Sequence, residues 1–194
     1  MTTNLNPPFW CEKGHFNLDQ YACIANLLKN KNIEYAIETG FCTGRSSVAV
    51  LNNCTELKTF ISIDINFDYI NPYGKLMVEK LKNAFPFFDA IEGSSRAIMT
   101  TDFFAKKYPF GIDYAMVDGD HTYDGCLEDL CRIAPNMNKG GVIVVDDYKS
   151  GPPNGCSIPD VTKACEKFYD ANSNLFNIEE WNINGKGFLF YTRI

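Results

Sequence analysis

Two acidic groupings in this chain have the makings of a reactive centre: Asp118-Gly119-Asp120-His121 and Asp146-Asp147. Carboxylates that converge at a buried rim repel one another unless protons or a cation intervene. Oxygen ligands of this hardness suit Mg²⁺, Ca²⁺ or Mn²⁺. Asp118, Asp146 and Asp147 are therefore candidate metal ligands, set against the plainer alternative that each ends a strand or caps a helix. A histidine ordinarily titrates near neutral pH, so beside a cation-activated hydroxyl His121 is a natural proton acceptor; its alternative role is to orient an Asp. His15, the other histidine, shares an N-terminal segment with Trp10 and Phe16 and reads as a lid or core residue.

A second grouping suits a nucleotide-type ligand. Glu38-Thr39-Gly40-Phe41-Cys42-Thr43-Gly44-Arg45-Ser46 follows a short apolar run and leads into Ser46–Leu51, which reads as a helix start. Glycines let such a turn bend tightly and approach a ligand, and the first helix turn has free N–H groups. Asp64 lies twenty residues after Gly44, at the end of the next apolar run, where an acid can accept hydrogen bonds from both hydroxyls of a ribose. Glu92-Gly93-Ser94-Ser95 either frames a ring with small side chains or forms an ordinary turn.

These residues need a scaffold that brings them to one rim. Short apolar runs alternate with helical segments, which predicts a parallel sheet with helices on both faces. Strands are expected at Tyr35–Ile37, Phe60–Asp64, Phe88–Glu92, Tyr114–Asp118 and Val142–Asp147. Helices are expected at Leu18–Leu28 (capped by Asn17 or Asp19), Tyr73–Asn83, Ile98–Lys107, Tyr123–Ile133 and from a cap at Asp160 to about Tyr169. Phe176–Trp181 and Phe188–Thr192, joined through Asn182–Gly187, predict an antiparallel hairpin. Ligands bind outside the carboxyl ends of parallel strands, and every expected parallel strand ends on an acid: Glu38, Asp64, Glu92, Asp118, Asp146-Asp147.

Composition narrows the partners. The chain has 194 residues, 45% of them hydrophobic, with a net charge of −6. That length suits one core and is short for two ordinary domains. Lys and Arg are scattered, which argues against nucleic acid. No run approaches the about 20 apolar residues of a membrane span, and Met1–Asn6 lacks the features of a signal peptide. A soluble, cytoplasmic protein is expected, without membrane association; a homodimer is compatible with this reading. The eight cysteines include no Cys-x-x-Cys pair, and Cys23, Cys42, Cys126, Cys131 and Cys165 sit among apolar neighbours, so they are expected to be reduced structural thiols.

The chain resembles class I S-adenosylmethionine-dependent methyltransferases, and within them the small O-methyltransferases of the catechol, caffeoyl-coenzyme A and macrolide-sugar type. The carriers are Glu38–Ser46, Ile63-Asp64, Val117–Tyr123 and Gly140–Tyr148, with the terminal hairpin, and the resemblance spans about Asn17 to Ile194. It implies a Rossmann-like three-layer α/β sandwich, a mostly parallel seven-stranded sheet ending in the antiparallel hairpin. It implies one methyltransferase domain over 1–194, with 1–16 as an N-terminal lid or arm.

The implied cofactors are S-adenosylmethionine and a divalent cation, Mg²⁺ foremost. Glu38, Gly40, Gly44 and Ser46 would hold the methionine portion, Asp64 the ribose, and Glu92, Gly93 and Ser94 the adenine. Asp118 would border the cofactor and share the metal with Asp146 and Asp147, and His121 would be the base. Catechol-type members carry lysine where His121 stands, so the macrolide-sugar type is the better match. The acceptor would be a small molecule with a hydroxyl, a sugar or a phenol, enclosed by the Gly151–Ser157 loop and Phe9-Trp10. Two alternatives are an NAD-dependent dehydrogenase, whose Gly-x-Gly-x-x-Gly pattern this turn lacks, and a non-catalytic cofactor-binding protein.

Overall fold

A computed structural model describes residues 7–194, so the reading of Met1–Asn6 lies outside the described residues. Five strands run parallel: β1 (Tyr35–Thr39), β2 (Thr59–Asp64), β3 (Phe88–Glu92), β4 (Ile112–Val117) and β5 (Met137–Asp146). The hairpin β6 (Phe176–Ile183) and β7 (Lys186–Arg193) completes a sheet of order β3-β2-β1-β4-β5-β7-β6, with β7 antiparallel to both neighbours. Asn184 and Gly185 turn the hairpin with φ of 51° and 85°, the left-handed pair that a two-residue turn demands.

Side chains alternate across the sheet, as a two-residue period requires. Ala36, Phe60, Tyr114, Met116, Val142 and Val144 face one core with α1 (Leu18–Leu28), α2 (Arg45–Leu51) and α3 (Tyr73–Ala84). Ile37, Ile61, Ile63, Ala115, Val117, Ile143 and Val145 face the other. That second core is closed by α5 (Thr101–Lys107), α6 (Tyr123–Ile133) and α7 (Pro159–Asn172). The register pairs Thr39 with Val117, Val117 with Val145, and Asp64 with Glu92, so the carboxyl ends lie along one rim.

Several expected boundaries shift. The Ile98–Lys107 helix is two pieces, α4 (Ser95–Ile98) and α5, because Thr100 turns its hydroxyl to accept from Phe103 N and starts a new helix. Asp160 lies in the first turn of α7 rather than capping it; Ile158 holds that position and Pro159 begins the helix. Asn17 does cap α1, in a reciprocal arrangement with Gln20. Cys126 and Cys165 are fully buried, whereas Cys131 is exposed. Among the described residues no helix is long and apolar enough to cross a membrane.

Candidate functional site

The rim opens into a cavity of about 790 Å³. Its floor at one end is the turn after β1. Gly40 and Gly44 both have left-handed φ, 87° and 72°. At Gly40 the reason is tertiary: an added Cβ would lie 1.9 Å from the carbonyl oxygen of Asp118. The turn therefore packs directly on the loop that carries the second acidic grouping, and Asp118 N donates to Thr39 O at 2.9 Å. Gly44 is needed for packing beneath the turn, where a Cβ would meet the Phe41 ring. It does not line the cavity.

Glu38 departs from the sequence expectation. β1 runs two residues further than its apolar core, so Glu38 lies inside the strand with no solvent exposure, and its carboxylate turns away from the cavity. It receives the hydroxyls of Ser46 and Ser47 in short contacts and that of Ser62 at 2.7 Å. Burial pushes its pKa up to about 7, against the downward pull of the three hydroxyls. Glu38 is a brace joining β1, β2 and α2. Ser46 lines the cavity, but its hydroxyl is committed to this brace.

Asp64 stands at the cavity wall. One carboxylate oxygen accepts from Phe41 N (2.7 Å) and Cys42 N (2.8 Å), and the other from Asn66 N (2.9 Å). The second oxygen, with a single amide donor, keeps a lone pair for a ligand hydroxyl. Gly93, Ser94 and Ser95 continue the wall, whereas Glu92 stays outside it and accepts from Phe67 N at 3.1 Å. Ile65 and Tyr69, each 71% exposed, also line this end. The sequence reading missed both, although Ile65 directly follows the acid.

At the other end Asp118 is the first residue beyond β4, Asp146 ends β5, and Asp147, expected inside that strand, is the first residue beyond it. His121 Nε2 lies 3.1 Å from Asp118 Oδ1 and 3.8 Å from Asp147 Oδ2. One potential ligand atom from each of Asp118, His121 and Asp147 falls within 4.8 Å of the others. Asp146, the third expected ligand, is not in that group. Gln20 Nε2 on α1 donates to both of its oxygens (2.9 and 3.1 Å), and Asp147 N donates to Oδ1 at 2.8 Å, so the carboxylate is turned toward α1. Burial raises the Asp118 carboxyl, and burial plus its acidic neighbours raise Asp146 strongly. The hydrogen bond with Asp118 raises His121 to about 9 against the opposing cost of burial. Asp147 adopts φ 59°, and its Oδ1 is buried with no hydrogen-bond partner among the described residues. Two carboxylates, one of them with an unsatisfied oxygen, make an oxygen donor pair that fits a divalent cation, with the imidazole beside it.

The expected lids are partly displaced. Cys156 and Ile158 from the 151–158 loop do line the cavity, but Phe9 and Trp10 do not. Phe9 packs edge-on against Phe85, and Trp10 covers the Arg45 guanidinium at 4.7 Å. Arg45 in turn donates to the carbonyls of Cys11 (2.7 Å), Gly14 (3.0 Å) and Phe16 (2.8 Å), and Thr43 Oγ1 donates to Lys13 O at 2.6 Å. This strap brings His15 and Phe16 to the cavity wall instead. Lys186, the first residue of β7, lines the wall beside Asp147 and had no signal in the sequence beyond a hairpin turn.

Comparison with known proteins matches residues 37–148 to a family described as a methyltransferase domain. An uncharacterized protein of Acanthamoeba polyphaga mimivirus is 46% identical over 41 residues, a match covering 21% of this chain and 19% of that protein. An O-methyltransferase from Bacillus cereus, solved in complex with SAH, superposes with a TM-score of 0.72 at 10% identity, over 93% of this chain and 84% of that one. The O-methyltransferase TomG from Streptomyces achromogenes, involved in tomaymycin synthesis and solved with SAM, gives 0.67 at 14% identity, over 91% and 80%. At these identities the structural likeness speaks for the fold.

Proposed function

This chain belongs to the methyltransferase-domain family, and on that premise we propose that it transfers the methyl group of S-adenosylmethionine to a hydroxyl oxygen of a small molecule, a sugar or a phenol. The observation that carries the proposal is one cavity with a ribose-type acid, Asp64, at one end and the Asp118–His121–Asp147 group at the other. In this reading Gly40 and the Ser46 backbone bound the methionine portion, Asp64 accepts from the ribose, and Gly93 to Ser95 flank the adenine. Glu38, Gly44 and Glu92 shape the turns from behind without touching the ligand. Residues 7–16 are an arm of a single methyltransferase domain that walls the cavity with His15 and Phe16. Family membership disfavours the dehydrogenase alternative.

S-adenosylmethionine supplies a methyl group already activated by its sulfonium, so the protein's task is to align the acceptor and manage its proton. A divalent cation against Asp118 and Asp147, Mg²⁺ or Mn²⁺, would lower the pKa of the acceptor hydroxyl and orient it. In this reading His121, 3.1 Å from Asp118 and 3.8 Å from Asp147, takes the proton at Nε2. To do so it must be neutral, and its present bond to Asp118 holds it protonated up to about pH 9. Positive charge shared between Asp118 and Asp147 removes that hold, since a bound ion inverts the local preference for charge. Asp146 acts in this scheme by positioning Asp147 through its backbone N–H.

Calorimetry with S-adenosylhomocysteine tests the cofactor half of the proposal. A screen of sugar, phenol and acid acceptors with labelled cofactor, with chelator and with Mg²⁺ restored, tests the rest. Absence of binding would overturn the whole reading, and full activity in chelator would remove the metal alone.

A further inference from the structure

Lys186 is the one lysine among the described residues that line the cavity. Its side chain is 13% exposed, and Nζ lies 4.0 Å from Asp147 Oδ1. The backbone beneath it is held firmly. Gly151 N donates to Gly185 O at 2.8 Å, Asn154 N donates to Asn184 O at 3.1 Å, and a Cβ on Gly185 would lie 2.0 Å from Gly151 O. The hairpin turn is thus joined to the 151–155 loop, and the root of the lysine is fixed at the cavity edge.

The oxygen it faces is the one that has no hydrogen-bond partner among the described residues. The same carboxylate belongs to the group whose ligand atoms lie within 4.8 Å of one another. An ammonium and a divalent ion drawing on one carboxylate would sit a few ångströms apart. Like charges at that separation in a partly desolvated pocket are screened much less than at the surface.

We propose that Lys186 is a built-in counter-cation for Asp147 that competes with a divalent cation for the Asp118 and Asp147 carboxylates, and so sets how tightly they hold metal. The inference rests on the metal part of the proposed function. By linkage, whatever the lysine costs the metal, the metal costs the lysine contact. A chain with this arrangement holds its acidic end together when no cation is present, and binds one more weakly than the same carboxylates without the lysine.

The test uses Mn²⁺ as probe, with free Mn²⁺ followed by electron paramagnetic resonance on the full chain. Lys186→Met keeps the length and apolar packing of the stem while removing the charge. It is expected to bind Mn²⁺ about tenfold tighter than wild type, within the usual range of coupling between sites. Lys186→Arg should return the affinity toward wild type, and Asp147→Asn should abolish binding. S-adenosylhomocysteine affinity, measured on each variant, reports an intact cofactor site, and Lys186→Gln substitutes if the methionine variant fails to fold. Equal, measurable Mn²⁺ affinity in wild type and Lys186→Met overturns this inference and leaves the metal reading standing. Mn²⁺ bound by neither, with S-adenosylhomocysteine bound by both, overturns the metal reading and the inference with it. Mn²⁺ bound by Lys186→Met alone supports the inference and removes metal from the wild-type reaction.

Discussion

At the β1–β3 end of the cavity Asp64 spreads its charge over three backbone amides, from Phe41, Cys42 and Asn66, while at the β4–β5 end Asp118, Asp146 and Asp147 crowd together. At the first end the carboxyls of Asp64, Glu38 and Glu92 are each partnered by backbone amides or serine hydroxyls, and Gly40 and Gly44 shape the turn. The second end crowds like charges: Asp118 and Asp146 are both raised, by burial first and then by their acidic neighbours, and Asp147 Oδ1 among them is buried with no hydrogen-bond partner among the described residues. Costs of this kind persist where binding or chemistry uses them. Under the proposed function, the difference gives recognition to one end and chemistry to the other.

The sharpest way to break that division is at the point where the two ends touch. Gly40→Ala places a methyl against the Asp118 carbonyl at 1.9 Å, so both loops must move. We expect a loss of about 3 kcal/mol in stability, together with loss of S-adenosylhomocysteine binding by calorimetry. Normal binding would mean that the contact between the loops does not organise the site.

Next in size is His121→Ala, which should spare cofactor affinity and lower turnover by roughly 10²–10⁴, the usual share of a general base. The deficit should narrow at high pH, where hydroxide replaces the imidazole. An equal fall in cofactor affinity would place His121 with the recognition end instead.

Glu38→Gln probes the brace. The Glu38 carboxyl is raised from 4.5 to about 7, so its contribution to stability is complete below about pH 4.5 and is lost as pH rises through 7. At about 1.4 kcal/mol per pH unit, wild type should lose roughly 3 kcal/mol more than Glu38→Gln between pH 4.5 and pH 8. Urea unfolding at the two pH values measures this; parallel losses would show that Glu38 stays ionised in the folded chain.

The smallest expected effect is Asp64→Asn. It keeps an acceptor for the amides but removes the charge from the ribose contact, and roughly 1.5 kcal/mol of cofactor affinity, about tenfold, should go with it. No change in the dissociation constant would move the ribose elsewhere.

How much of this could be read from the chain depends on how local each feature is. β3 and α6 match their expected limits because Phe88–Glu92 and Tyr123–Ile133 carry their burial pattern within their own residues. The break at Met99-Thr100 is hidden in the sequence because a threonine hydroxyl capping the next helix competes with an otherwise continuous helical pattern. Glu38 lies inside β1 rather than at its end because three serine hydroxyls from β2 and α2 offset the cost of burying an acid there, and those partners lie on elements other than β1.

The sequence by itself determined the alternating α/β order, the acids at the strand ends and the terminal hairpin, since periodicity, turn chemistry and strand polarity act over a few neighbouring residues. Only the tertiary structure decided which way each carboxylate faces. Gln20 claims Asp146 across 126 positions, Lys186 reaches Asp147 from the far hairpin, and Arg45 draws residues 11–16 over the glycine turn. Those choices come from desolvation and hydrogen-bond satisfaction among groups distant in the chain, which act only once the sheet has brought them together.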